Sequence, residues 1–122
     1  MRVLLVDDYQ DVALACSHVL ELLGHEVRCA FSGEAALALL PSFTPDLIVL
    51  DLDLPGRSGF EVAREVRSSA LGTRVFLAAL SGCCEQDQRS IAAGFDLHVM
   101  KPASAAKLEA ITSAAANRRT IA

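Results

Sequence analysis

Four aspartates in this 122-residue chain stand directly after short apolar runs or close behind them. Asp7 and Asp8 follow the first run, Asp51 follows the third, and Asp53 comes two residues later. Clustered carboxylates repel one another, and a divalent cation relieves the repulsion. Carboxylates, a backbone carbonyl and water are ligands that Mg²⁺ accepts. If the fold brings the four aspartates together, they predict a site for Mg²⁺ or Mn²⁺.

A hydroxyl group and an ammonium group occupy two further positions of the same kind. Ser81 follows the fourth apolar run and Lys101 follows the fifth. A cation, an ammonium and a hydroxyl around one carboxylate provide the charge neutralisation and positioning that phosphoryl transfer requires. We therefore expect Asp51 to be the nucleophile that carries a phosphoryl group, with Ser81 and Lys101 as catalytic groups.

The elements that must position these residues are indicated by five short apolar runs. In chain order the runs are Val3–Val6, Val27–Ala30, Leu47–Leu50, Val75–Leu80 and Leu97–Met100. Three of the five runs are apolar throughout, which is typical of parallel strands covered on both faces. Their alternation with helical patterns predicts a flavodoxin-like, doubly wound α/β fold with five helices and a five-stranded parallel sheet of order 2-1-3-4-5. Ligands bind outside the carboxyl ends of such strands, where all the polar residues above would meet.

The helical patterns differ in strength. The first predicts one buried face made of Val12, Cys16, Val19, Leu20 and Leu23. The second ends before Pro41, and the face of the fifth consists of Ser104, Leu108, Ile111 and Ala115. The fourth, at about residues 84–93, has a single large aliphatic residue and is expected to be the loosest element. We expect one domain over residues 1–122, with a core of about 1–116 and a frayed C-terminal tail.

Composition excludes several classes of function. The net charge of −4 provides no basic surface, so direct nucleic-acid binding is disfavoured. No apolar run approaches the length of a membrane span, and no signal peptide is present, which favours a cytoplasmic protein without membrane contact. The cysteines lack the C-x-x-C spacing of a zinc site and are expected to be reduced structural thiols; they are Cys16, Cys29, Cys83 and Cys84.

Taken together, these residues resemble the receiver domain of response regulators, over nearly the whole chain. The acidic pair of that family matches Asp7 and Asp8, its phosphoacceptor Asp51, its hydroxyl residue Ser81 and its lysine Lys101. The resemblance implies a signalling domain of a two-component or phosphorelay system, not a metabolic enzyme. Its partners would be a histidine kinase or a histidine phosphotransfer domain, and a downstream protein or effector domain.

The resemblance also implies how the metal is held. Asp8, Asp51 and the backbone carbonyl of Asp53 would contact Mg²⁺ directly, with Asp7 more remote. It further implies a cis peptide bond at Lys101-Pro102, which is accessible because the second residue is proline.

His98 departs from the family pattern, which often has an aromatic switch residue three positions before the lysine. A histidine there resembles receivers attached to hybrid histidine kinases. We treat His98 as the candidate switch residue, with a half-buried surface histidine as the alternative. The face that switches would consist of predicted helix four, strand five and helix five.

Three other functions compete with this interpretation. Asp51-Leu52-Asp53 is similar to the nucleophile motif of haloacid-dehalogenase-type phosphatases, although those usually place it after the first strand. A flavodoxin-like FMN protein fits the fold, but Asp7 and Asp8 would repel the phosphate of the flavin. A scaffold with a receiver fold that works without phosphorylation is the third alternative, and the complete set of site residues argues against it.

Overall fold

The computed structural model describes residues 1–70, 72, 74–82 and 93–121. Five strands and four helices are present in this part of the chain. The strands are β1 Arg2–Val6, β2 Glu26–Ala30, β3 Leu47–Asp51, β4 Phe76–Ser81 and β5 Leu97–Met100. The helices are α1 Gln10–Leu22, α2 Gly33–Phe43, α3 Gly59–Ser68 and α4 Ala105–Ile121. The helix predicted at about residues 84–93 lies almost entirely outside the described residues.

All five strands are parallel and follow the order β2-β1-β3-β4-β5, which confirms the predicted topology. Val6 lies beside Leu50 in the register of β1 and β3, and Ser81 lies beside Met100 at the end of β4 and β5. The strands therefore end level with one another. Polar residues that follow them are delivered to one edge of the sheet.

The sheet separates two hydrophobic clusters. Side chains of Leu4 and Val6 point to one face of β1, where α2 and α3 pack. Those of Val3 and Leu5 point to the other face, against α1 and α4. Successive residues of a strand face opposite sides, so a strand covered on both sides must be apolar throughout. The outer strand β5 is only half-buried.

Helix α1 buries Cys16 and Leu20 as predicted, but its buried face is rotated away from Val12 and Leu23. Its buried residues are Ala13, Cys16, Ser17 and Leu20, whereas Val12 and Leu23 are 47% and 41% exposed. The small residues Ala13, Cys16 and Ser17 face the sheet, and with the helix rotated in this way Val12 points outward. The prediction that Val12 and Leu23 belong to the buried face is wrong.

Helix α2 continues through Pro41, so the prediction that it ends before this residue is also wrong. Proline lacks the N–H that would donate to the Leu37 carbonyl, so the last turn of the helix lacks one hydrogen bond. Phe43, the last residue of the helix, is buried in the core. Thr44 follows with φ 46°, and its N–H donates to the Leu40 carbonyl at 3.0 Å.

Helix α4 buries Leu108, Ile111 and Ala115 as predicted, whereas Ser104 precedes the helix and is exposed, so its place on the predicted face is wrong. Its backbone is helical to Ile121, within the segment expected to fray. No helix in the described part of the chain is both long and apolar enough to cross a membrane. Two of the four cysteines, Cys16 and Cys29, are free thiols, and the other two lie outside the described residues.

The edge of the sheet opposite the polar residues is fixed by Arg67 near the end of α3. Its guanidinium donates to the carbonyls of Gly94 at 2.9 Å, Gly72 at 2.7 Å and Val75 at 2.8 Å, and to Asp96 Oδ2 at 2.7 Å. Asp96 Oδ2 also accepts the Leu77 N–H at 2.9 Å. These contacts tie α3 to the segments that lead into β4 and β5, so the starts of both strands are held in place.

Candidate functional site

Three of the predicted site carboxylates meet at the carboxyl ends of β1 and β3. Asp7, Asp8 and Asp51 each provide an oxygen atom, and the three atoms lie within 4.8 Å of one another. Asp7 is 3% exposed and Asp51 is 0% exposed, while Asp8 is half-buried. Such a concentration of negative charge at a buried position is costly unless cations balance it.

Backbone amides hold two of these carboxylates in place. The Tyr9 N–H donates to Asp7 Oδ1 and the Asp53 N–H donates to Asp51 Oδ1, each at 2.9 Å. Both contacts join a carboxylate to the amide two residues further along the chain, the usual geometry of an Asx turn. Polar residues at strand ends thus orient themselves through the turn that follows.

Helix α3 packs tightly against the end of β3 because it begins with a glycine. A Cβ atom placed on Gly59 would lie 2.7 Å from the Asp51 carbonyl oxygen and 2.8 Å from the Leu52 Cα. Ser58 caps the helix by accepting the Glu61 N–H at 3.3 Å. The glycine is therefore required by close approach and sets the position of the Asp51 backbone.

Lys101 supplies the positive charge. Its Nζ lies 2.9 Å from Asp51 Oδ2. Its backbone N–H donates to the carbonyl of Ser81 at 2.8 Å. Ser81 is fully buried at the end of β4. The Lys101-Pro102 bond is cis, as the resemblance implied. The structure thus brings Asp7, Asp8, Asp51, Ser81 and Lys101 to one place.

The electrostatics of the cluster affect the pKa values of two groups. Burial raises the pKa of Asp7, and the charges of Asp51 and Asp8 raise it further against the opposing effects of the Tyr9 N–H and Lys101. Burial alone would lower the pKa of Lys101, but its hydrogen bond to Asp51 and the surrounding carboxylates raise it on balance. Asp7 therefore takes up a proton more readily than a free aspartate, and Lys101 stays charged.

The donor set fits a hard divalent cation. Asp8 Oδ1 is buried and accepts no hydrogen bond from the described residues, which suits a group that binds a metal. All the side-chain donors are carboxylate oxygens, the class of ligand that Mg²⁺ prefers. Asp53 stands apart, because its side chain is exposed and its carboxylate is not in the group of three. Its amide contributes to the site by holding Asp51.

Comparison with known proteins decides the family. Residues 3–113 match the response regulator receiver domain. The chain belongs to this family. This receiver domain is 38% identical over 109 residues to the virulence sensor protein BvgS of Bordetella pertussis and 37% identical to BvgS of Bordetella bronchiseptica. Each match covers 84% of the chain and 9% of the relative, so the chain spans a small part of the length of these sensor proteins.

Solved structures agree on the fold. The receiver domain protein of Methanospirillum hungatei superposes with a TM-score of 0.88 at 26% identity, covering 99% of this chain and 98% of that one. The chemotaxis response regulator CheY4 of Vibrio cholerae gives 0.88 at 28% identity, covering 93% and 97%. A response regulator from Chloroflexus aurantiacus gives 0.87 at 30% identity, covering 93% and 95%. The receiver domain is thus a response regulator receiver of a two-component system.

His98 lies on β5 of the receiver domain and is half-buried, and burial lowers the pKa of its imidazole. It was predicted as a switch residue, and that role remains a prediction.

Sequence analysis missed a cavity of about 560 Å³ beside the site. It lies between α1 and the segment after β5, and its lining includes Asp7, Tyr9, Val12, Cys16, Lys101 and Pro102. The sequence pattern did not indicate it, because Val12, which lines the cavity, was assigned to the buried face of α1.

Proposed function

We propose that this receiver domain accepts a phosphoryl group on Asp51 from a phosphohistidine of a histidine kinase or a histidine phosphotransfer domain. The observation that carries the proposal is the 2.9 Å contact between Lys101 Nζ and Asp51 Oδ2 beside two further carboxylates. A carboxylate that is buried, oriented and paired with an ammonium group is a positioned nucleophile. Mg²⁺ or Mn²⁺ is the cofactor that the oxygen-only donor set favours.

In the proposed transfer, the phosphorus atom exchanges a bond to nitrogen for a bond to oxygen. An oxygen of the Asp51 carboxylate attacks the phosphorus atom, and the new O–P bond forms as the N–P bond of the donor breaks. The electron pair stays on the imidazole nitrogen, which takes up a proton. A bound divalent cation supplies neutralisation of the phosphoryl charge, and Asp7, Asp8 and Asp51, with the Asp53 carbonyl that the family resemblance implies, would hold it.

Lys101 and Ser81 stabilise the product in this proposal. The Lys101 ammonium already lies at Asp51, so it can pair with the phosphoryl oxygens without a large movement. The Ser81 hydroxyl provides a donor at the end of the neighbouring strand. Because both residues would gain new contacts with the phosphoryl group, they would bias the equilibrium between two conformations. The face that responds would consist of β5, α4 and the predicted helix at about residues 84–93, with His98 as the switch residue.

The surroundings of the domain follow from this role. We expect it to work in the cytoplasm, where phosphohistidine donors are made, and to act on a protein partner or an effector domain without binding nucleic acid or membrane itself. The net charge of −4 is consistent with that expectation. Because the chain spans 9% of the sensor proteins it resembles, the donor histidine belongs either to the same longer protein or to a separate one.

Labelling with a radioactive small phosphodonor such as acetyl phosphate tests the proposal. The protein should gain an acid-stable, base-labile label in Mg²⁺ and none in chelator, and Asp51→Asn should abolish it. Asp11→Asn is the matched control, because it makes the same chemical change at an exposed position of α1. Equal labelling of Asp51→Asn and the parent would refute the assignment.

The rival functions are tested with the same preparation. Steady hydrolysis of a small phosphoester would favour a phosphatase of the haloacid-dehalogenase type. Flavin absorbance in the purified protein would favour an FMN protein. A parent that binds its partner equally well with and without the label would favour a scaffold.

A further inference from the structure

One peptide unit beside the site is bound on both of its sides. The N–H of Lys101 donates to the Ser81 carbonyl at 2.8 Å. The carbonyl of Met100, which belongs to the same peptide unit, accepts a hydrogen bond from Lys107 Nζ at 2.8 Å. The N–H and C=O of a trans peptide point in opposite directions, so the two bonds pull from opposite sides and fix the plane between them.

The orientation of this peptide determines where Lys101 points. The Cα of Lys101 is attached directly to the clamped plane, and its Nζ ends 2.9 Å from Asp51 Oδ2. Rotation of the plane would move the whole side chain. On the side facing β4, strand pairing supplies the restraint. On the other side β5 has no neighbouring strand among the described residues, and Lys107 supplies the bond that a strand would otherwise make.

Lys107 occupies a helix position that does not favour a lysine. It lies in the first turn of α4, where the N-terminal end of the helix repels positive charge. Its N–H donates to Ser104 Oγ at 3.3 Å, which anchors the residue in the capped turn, and the next residue, Leu108, is fully buried. Its backbone is therefore held in place, and its ammonium group reaches back to the Met100 carbonyl.

We propose that Lys107 is a positioning residue for phosphoryl transfer: its ammonium holds the Met100 carbonyl and so keeps Lys101 aimed at Asp51. This inference rests on the proposed function, because it specifies how the lysine of the same site is oriented. Lys107 contacts neither Asp51 nor the phosphoryl group, so its effect passes through Lys101 alone. A mutation of Lys107 should slow labelling without loosening the fold.

The test compares Lys107→Gln, Lys107→Arg and the parent in labelling by acetyl phosphate at saturating Mg²⁺. Arg64→Gln is the matched control, because it removes one positive charge from an exposed position of α3, on the other face of the sheet. Lys107→Gln should lower the labelling rate about three- to tenfold, the effect of one lost hydrogen bond of ordinary strength. Lys107→Arg should recover most of the rate, and both should keep the thermal midpoint of Arg64→Gln.

Two measurements separate positioning from simple loss of charge. The deficit should persist in 1 M salt, where the screening length falls to about 3 Å. In a Lys101→Met background, Lys107→Gln should have no further effect on the residual rate. Equal rates for Lys107→Gln and Arg64→Gln would overturn the inference, as would a deficit that salt removes or that persists without Lys101.

A spectroscopic measurement keeps this inference distinct from the proposed function. Loss of the hydrogen bond at the Met100 carbonyl should shift the amide ¹⁵N resonance of Lys101 in Lys107→Gln, and Lys107→Arg should restore it. If the parent takes up no phosphoryl label but Lys107→Gln still shows this shift, the phosphoryl-transfer proposal is refuted. The hydrogen bond from Lys107 to the Met100 carbonyl then still stands. An unshifted resonance would refute the positioning role of Lys107, whatever the phosphoryl labelling shows.

Discussion

Replacing Asp7 by asparagine should make the metal-free domain more stable at neutral pH. Asparagine keeps the shape of the side chain and an oxygen that accepts the Tyr9 N–H, a contact of 2.9 Å in the parent. It removes one negative charge from a group of three whose oxygens lie within 4.8 Å. At an effective dielectric constant of about 20, two charges at that separation repel by about 3 kcal/mol.

The net gain is smaller than the sum of the repulsions. Asp7 is repelled by Asp51 and Asp8 and attracted by Lys101, so removing its charge relieves about one uncompensated pair. After relaxation we expect Asp7→Asn to raise the free energy of unfolding by about 1–3 kcal/mol at pH 8. For a domain of this size that corresponds to a rise in thermal midpoint of roughly 3–10 °C.

The dependence on pH has a definite sign. The pKa of Asp7 is raised above its ordinary value of 3.8, so the folded state holds the proton more tightly than the unfolded state. Its contribution to stability is full below that value and is lost as pH rises through the folded pKa. The advantage of Asp7→Asn should therefore be near zero at pH 3.8 and reach its maximum above the folded pKa of Asp7.

Urea unfolding in chelator at several pH values measures this advantage. Glu109→Gln, an equal change of charge at an exposed position of α4, is the control and should show no such trend. Saturating Mg²⁺ should reduce or reverse the advantage, because a cation that binds only the folded parent stabilises it. A variant no more stable than the parent at pH 8, or an advantage independent of pH, would refute the reasoning.

Three other substitutions test the packing and pairing around the site. Lys101→Met leaves Asp51 buried without its ammonium partner, so it should cost about 2–3 kcal/mol at pH 8 in a urea titration; an unchanged free energy of unfolding would contradict this. Gly59→Ala forces the Asp51 carbonyl to move, so it should cost about 1–3 kcal/mol and slow acetyl phosphate labelling; labelling at the parental rate would contradict the tight approach. Arg67→Met removes hydrogen bonds to three carbonyls and Asp96, so its thermal midpoint should fall by the equivalent of about 3 kcal/mol; an unchanged midpoint would show that the anchor contributes nothing.

The sheet and most of the site could be predicted because both depend on strand ends. Buried parallel strands require continuous apolar runs, and the polar residues that follow them must meet at one edge. The positions of Asp7, Asp51, Ser81 and Lys101 follow from this geometry alone. The predicted face of α4 was correct for Leu108, Ile111 and Ala115, which repeat at helical spacing, and wrong for Ser104, which precedes the helix.

What could not be predicted depends on how closely elements approach. The rotation of α1 follows from the small volumes of Ala13, Cys16 and Ser17, which hydrophobicity alone does not rank above Val12. The continuation of α2 through Pro41 follows from the burial of Phe43, a tertiary effect. The clamp formed by Lys107 depends on a side chain reaching back across a turn. No local pattern indicates that contact.

Because the sheet divides the interior into two hydrophobic clusters, residues that are adjacent in the chain can pack in different clusters. Leu4 and Leu5 are adjacent in the chain, yet one packs against α2 and α3 and the other against α1 and α4. Substitutions on opposite sides should therefore combine additively, whereas Leu4 and Ile48, which share a cluster, should couple. The α2–α3 side can then be repacked for greater thermal tolerance while the α1–α4 side, which carries Cys16 of the cavity wall, retains its shape. The packing on the two sides of the sheet can in this sense be adjusted separately within one small domain.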